Sequence, residues 1–527
     1  MAPTVYAAVC VLLLSLIGCQ SSPGSSEDTF EQMVGSAPGA AAESPSDADE
    51  TDGLRRGALW YQLEVGSESV DVHVRLLEPP ERTSFFLPGR WAGRSDFADN
   101  ISIRGAIDDG GSVPFTIDRS NGRIDVESEA ARWIQLNYSV KLREDVGHRW
   151  RFHPRFNAGV LFAYGPAFLV LPSDQISRKM RDIPIEVRTP SSWQVLSTWR
   201  HVDSSDSAAV QGASVHGFSA KSAAVLRDTF IAAGSELEVH QPLAPSGQSA
   251  MTIGFSPLVR LDHDKFSGRI AELIEAYRRR FGDLGPVTAF VQTVAADDNQ
   301  RARGVGRRGG FVVEFPADQQ LDDQAMLLLA HEAFHLWNGH HLTPKPSAER
   351  RTRWFKEGVT HYIALQMLYE LGLFDREDVL GELSEAAKLY RRNPAARGQT
   401  STSNDRARLP YDKGVLLAIA LDATLLSETD GEVSLQDWVE HLLADLGEGD
   451  KRYDAGDLRD ALVTVAGSAN AESVELWDMY VAGSALLEPA QIFDTAGLHW
   501  LSGSDRPAPR LLPVRRDDSP FGSMFPR

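Results

Sequence analysis

The apolar period changes once along this chain of 527 residues, and that change limits the folds open to it. From Leu59 to about residue 245 apolar residues recur at every second position. Val70-Asp-Val-His-Val-Arg-Leu76, Trp133-Ile-Gln-Leu-Asn-Tyr-Ser-Val-Lys141 and Ile183-Pro-Ile-Glu-Val-Arg188 all alternate, with turn signals at Asp108-Asp-Gly-Gly111 and Ser120-Asn-Gly122. From residue 322 the period is helical, with candidate helices at 322–338, 354–371, 376–391, 411–427, 434–446 and 455–466. Between these regimes lie a strand at Met251–Phe255, an amphipathic helix at Asp264–Phe281 and strands at Val287–Thr293 and Gly310–Phe315. Strands followed by helices, in a chain too long for one compact core, predict a multidomain α+β protein. Its parts are a β-sandwich-like domain over 57–245, an α/β domain over 246–395 and an all-helical domain over 396–502. A loose Pro-, Arg- and Ser-rich tail follows at 503–527.

The N-terminus reads differently. Val5 to Ile17 is an apolar run too short to span a bilayer, and Leu16-Ile17-Gly18-Cys19 closes it. Small residues followed by Cys resemble the bacterial lipoprotein lipobox, although no Lys or Arg precedes the run. Residues 1–18 are therefore expected to be a signal peptide, Cys19 a lipid attachment point and 19–56 a disordered acidic tether. That implies a lipid-anchored protein of the bacterial cell envelope. Of the two cysteines, Cys10 would leave with the signal and Cys19 would be acylated, so a metal site must use His, Asp and Glu. The formal charge of −20 gives no basic field for nucleic acid, and no attraction to an anionic bilayer.

His331-Glu332-Ala-Phe-His335 lies within the strongest helical pattern. Asp322 or Asp323 can cap it and Gly339 can end it. At i and i+4 both imidazoles project from one face and can bind one zinc ion, while Glu332 stands beside the metal, placed to take a proton from water. A third donor is offered by Glu357 in Trp354-Phe-Lys-Glu-Gly358, 357 − 335 = 22 positions later, room for a helix end and a return. Its apolar neighbours mark a buried segment, where a carboxylate needs a partner. Tyr411 could aim a phenol at the site, or could be a core aromatic. His340 and His341 could bind metal, although loop histidines are usually solvated. His361 could line the cleft or pack, and Asn338 and Thr360 could support the donors.

His331-Glu-Ala-Phe-His-Leu-Trp-Asn338, Trp354-Phe-Lys-Glu-Gly-Val-Thr-His-Tyr-Ile-Ala364 and the run Leu409 to Asp422 together resemble the glycyl aminopeptidase family of metallopeptidases, distant relatives of aminopeptidase N. Phe85 to Ile101 and Trp477 to Leu498 are similar to further segments of that family. The resemblance implies a thermolysin-like catalytic domain after the β domain and one Zn2+ per chain. It also implies His331, His335 and Glu357 as zinc ligands, Glu332 as base and Tyr411 as oxyanion stabiliser. Two departures stand out. About 25 residues follow the last similar segment, too few for the PDZ domain many members carry. Relatives also place a Glu that grips the substrate amine ahead of the zinc helix, where this chain reads Gly304-Val-Gly-Arg-Arg-Gly-Gly310. If Gly310–Val313 is the edge strand beside substrate, Arg307 takes that position and would favour a carboxylate, with Gly309 and Gly310 beside it. The expectation is peptide hydrolysis, aminopeptidase-like. Its rivals are an endopeptidase, a non-peptide hydrolase on the same zinc, and a catalytically dead binding lipoprotein.

Overall fold

The computed structural model describes residues 58–129, 131–144, 151–202, 213–249, 251–294, 302–316, 323–447, 451–483, 485–501, 510–513 and 519–525. The expected signal peptide, Cys19 and the tether at 19–56 lie outside these. Among the described residues no helix is long and apolar enough to cross a membrane.

The alternating segments form strands. Ser69–Leu77 buries Val70, Val72, Val74 and Leu76 on one face, and pairs with Leu59–Val65 and Trp133–Lys141 in an eight-stranded sheet. Two four-stranded sheets pack on the same core: Phe85, Ile124 and Val126 come from one, and Leu161, Ala163, Ile231 and Ala233 from the other. The strands Val160–Tyr164 and Phe230–Gly234 are buried on both faces, so they lack alternation. Their second face (Val160, Phe162, Tyr164, Phe230, Ala232) enters a separate core with Trp91, Phe97, Phe290, Val305 and Val312.

That second core joins the N-terminal sheets to a five-stranded mixed sheet. In spatial order its strands are Glu238–His240, Met251–Phe255, Val287–Val294, Gly310–Pro316 and Arg303–Arg307, the last antiparallel to its neighbour. Phe311, Val313 and Phe315 point the other way, into the largest core, shared with the helices. The edge strand is therefore Arg303–Arg307, and the expectation that Gly310–Val313 forms the edge is corrected. Gly310 has backbone on both sides: a Cβ there would sit 2.0 Å from the Thr288 carbonyl oxygen.

The predicted helices appear at His263–Phe281, Asp323–Phe334, Arg376–Arg392, Leu435–Leu446 and Ala455–Ala466. Some predicted boundaries move. The helix expected at 411–427 runs Ser403–Glu428, with Pro410 inside it, from a capping box between Thr402 and Asp405. The described part of 503–527 is not loose. Arg510–Pro513 pairs with Leu498–Leu501, and Phe521, Met524 and Phe525 are buried, the Phe525 carbonyl accepting from Arg376 at 2.6 Å. A composition dominated by Pro, Arg and Ser hides these apolar anchors.

The joint between the sheets also carries charge. Glu314 accepts from Arg151, from Arg155 at 3.1 Å and from Gln292 at 3.0 Å, and all four side chains are buried. Removing one partner from such a cluster leaves buried charge uncompensated, at about 3–5 kcal/mol. Glu314→Gln should thus destabilise the protein by about 3 kcal/mol in urea unfolding, whereas Glu64→Gln, on a half-exposed carboxylate, should change it by less than about 1 kcal/mol.

Candidate metal centre

His331 lies inside the helix Asp323–Phe334, and His335 continues its last turn through a 3.2 Å bond from its N–H to the His331 carbonyl. The helix face beneath is fixed by Tyr277, whose hydroxyl donates to the Ala330 carbonyl at 3.0 Å. Glu357 arrives on the helical stretch running from Glu349 to Glu370, which widens into a π-turn over Phe355–Val359. Such turns displace one residue from the regular ladder and recur at functional sites. Here the displaced turn carries Glu357.

The cause of the close helix packing at that turn is visible. A Cβ on Gly358 would lie 2.2 Å from the Gly414 Cα, and one on Gly414 would lie 2.3 Å from the Trp354 carbonyl oxygen. Two helices meet backbone to backbone at these glycines. Gly414 is three residues past Tyr411, so the same contact that seats the Glu357 turn sets the turn bearing Tyr411.

The resulting constellation is tight. Nε2 of His331 and of His335 lie 3.7 and 3.4 Å from Glu357 Oε2. One donor atom from each of the three residues falls within 4.8 Å of the others, and all three residues are buried. His335 Nδ1 lies 2.9 Å from the Asn338 carbonyl, which can only accept, so that nitrogen carries the proton and Nε2 presents its lone pair to the centre. Asn338 in turn donates to the Phe355 carbonyl (3.1 Å) and to the Thr360 hydroxyl (3.2 Å), tying the two helices together. Burial works to raise the pKa of Glu357, but the facing His331 and His335 outweigh it and hold the carboxyl well below its ordinary value. Burial drives His331 toward its neutral form.

Both oxygens of Glu357 and Nε2 of both histidines are buried without a hydrogen-bond partner among the described residues. Orphaned donors of this kind, two imidazoles and one carboxylate, are the set that suits a tetrahedral zinc ion. The residues fit the metal.

Three other groups lie near His331. Glu332 is fully buried and packs against the edge strand at Gly304, where a Cβ would sit 2.0 Å from its Cδ. The Tyr411 ring lies 6.1 Å from that of His331, nearly parallel to it, and His361 lies 5.7 Å from His331 on another side. His361 is buried there.

Arg307, Gly309 and Gly310 are not brought to the three donors. Alternation along the edge strand turns Gly304 and Gly306 toward the His331 helix, and Val305 and Arg307 the opposite way. The Arg307 guanidinium lies 4.6 Å from the Trp91 ring and 3.3 Å from Asp228, on the N-terminal side. The placement of Arg307 as a substrate anchor is thus corrected, as is that of Gly309 and Gly310, which form the hairpin turn and the start of an internal strand. His340 sits beside Gly306 and 3.7 Å from Asp228, off the metal centre. Gly304, Gly358 and Gly414 are the residues that sequence reasoning missed. Each directly adjoins a candidate segment, but no local pattern says what will approach them.

Residues 324–414 match the family model described as M61 glycyl aminopeptidase, a span holding His331, Glu332, His335, Glu357 and Tyr411. The resemblance read from the motifs therefore holds there. Among solved structures the chain is similar to an aminopeptidase N family protein from Idiomarina loihiensis, with 17% identity over 84% of this chain and 79% of that chain, at a TM-score of 0.67. It is also similar to an M1 zinc metallopeptidase from Deinococcus radiodurans, with 16% identity over 82% of this chain and 96% of that chain, at a TM-score of 0.52. At such identities the likeness is one of fold, an aminopeptidase-type multidomain α+β architecture. No curated protein matches the chain.

The glycine contact makes a sharp prediction. Gly358→Ala and Gly414→Ala should each destabilise the protein by about 1–3 kcal/mol, since neither backbone can yield. Gly268→Ala, at an exposed helical site with nothing within 4 Å, should stabilise it by about 0.5–1 kcal/mol. Urea unfolding of the three variants measures the contrast.

Proposed function

We propose that this protein is a zinc-dependent peptidase, held at the bacterial cell envelope by a lipid on Cys19. The observation that carries the reading is the buried meeting of His331, His335 and Glu357, whose donor atoms lack hydrogen-bond partners among the described residues and suit one Zn2+ at this centre. The family match over the same segment supports it. When bound, zinc supplies Lewis-acid polarisation of a carbonyl and acidifies water.

The chain's own residues do the rest. Glu332, buried against Gly304, takes the proton of the attacking water and returns it to the leaving amine. Tyr411 donates its phenol to the oxyanion that forms as the carbonyl carbon becomes tetrahedral. Asn338 and Thr360 hold the two donor helices in register. The edge strand Arg303–Arg307 offers its backbone to an extended peptide beside Glu332, as strand addition requires.

An endopeptidase is the second reading, favoured by one observation. The edge strand reads Arg-Gly-Val-Gly-Arg and turns only glycines toward the His331 helix, with no carboxylate for a substrate's free amine. Matched peptides with free and acetylated N-termini separate the two, since an aminopeptidase cleaves only the free form.

Glu332→Gln should retain its zinc and lose turnover by at least about 100-fold, and Tyr411→Phe should lose about 10²–10³ in kcat. Metal analysis alongside peptide turnover checks both. Loss of zinc from Glu332→Gln would remove Glu332 from the role of base.

A further inference from the structure

We propose that Glu238, His240 and His263 form a second site for a divalent, imidazole-seeking ion of the zinc type, independent of the peptidase reading. Glu238 and His240 stand two apart on one strand, so their side chains share a face. His263 opens the helix His263–Phe281 and reaches the same point. Glu238 Oε1 lies 2.6 Å from His240 Nε2, and its Oε2 lies 3.0 Å from His263 Nδ1. One donor atom of each residue lies within 4.8 Å of the others.

The ring protons decide what this cluster can hold. His263 Nε2 lies 3.1 Å from the Val259 carbonyl, which can only accept, so that nitrogen carries the hydrogen. Its Nδ1 faces the Glu238 carboxylate, which accepts a hydrogen from that nitrogen or shares a cation with it. His240 repeats the pattern, its Nδ1 lying 3.3 Å from Asp264 and its Nε2 facing Glu238. At these distances the two facing nitrogens either donate hydrogens to Glu238 or, deprotonated, share a cation with it. Outer acceptors that fix the far ring nitrogen are what metal-binding histidines use. Phe255 sets both rings, stacked on His263 at 4.1 Å and 4° and edge-on to His240 at 5.4 Å and 87°.

Donors on tetrahedral zinc stand about 3.3 Å apart. Glu238, at 55% exposure of its side chain, can swing outward to reach that spacing. The ion would clamp the first strand of the five-stranded sheet to the start of its first helix.

The test titrates ZnCl2 into full-length protein, purified without a histidine tag and stripped by chelator, with bound metal counted after gel filtration. Wild type should bind two equivalents, His240→Ala/His263→Ala one, and His331→Ala/His335→Ala one. Cobalt(II) added to folded His331→Ala/His335→Ala protein should give tetrahedral d–d absorption, which a cluster of protonated histidines paired with Glu238 would not. Absence of both zinc and that absorption in the latter variant would overturn the proposal, as would two equivalents remaining in folded His240→Ala/His263→Ala. If instead the peptidase centre is misread, wild type binds one equivalent and loses it only in His240→Ala/His263→Ala.

Discussion

The molecule is organised around a contact between two glycines. Gly358 and Gly414 let the helix that carries Glu357 and the helix that carries Tyr411 touch through their backbones. At that point the Glu357 helix adopts its π-turn, and the carboxylate is delivered to the two imidazoles of the neighbouring helix. None of the three donors can be stable alone in so dry a place. Their mutual proximity and the Asn338 tie across the helices make the arrangement tolerable, and a cation would complete it.

A second constraint fixes the strand beside this centre. The five-stranded sheet packs its helix-facing side against the helices that carry the three donors and its other side against the N-terminal sheets. The edge strand therefore belongs to both bodies. Its glycines make room for Glu332 and His340, while Val305 and Arg307 lock into the joint with Trp91, Tyr164 and Asp228. An N-terminal domain that holds the edge strand in place also holds the strand against which Glu332 packs.

Much of this was legible in the sequence, for reasons that differ by element. The helices at Arg376–Arg392, Leu435–Leu446 and Ala455–Ala466 are amphipathic and well capped, so their period marked them. The two histidines were legible from their i, i+4 spacing on a helix, and Glu357 from its interval of 22 positions and its apolar neighbours. Strands buried on both faces, such as Phe230–Gly234, carried no alternation to read. The edge strand was placed at Gly310–Val313 because Gly304 and Gly306 are poor strand formers and leave no apolar alternation to mark Arg303–Arg307. Their absence of side chains answers to Glu332 and His340, which lie far along the chain. The Gly358–Gly414 contact spans 56 positions, and nothing near either residue announces the other. Burial of Phe521 and Phe525 was concealed in the same way by polar surroundings.

The most direct test of the metal centre is an anomalous difference map at the zinc edge from crystals of the full-length protein. A single peak about 2.0–2.2 Å from His331 Nε2, His335 Nε2 and a Glu357 oxygen is the predicted result. Ordered side chains at those three positions with no anomalous density among them, or Glu357 turned away from the two imidazoles, would contradict it.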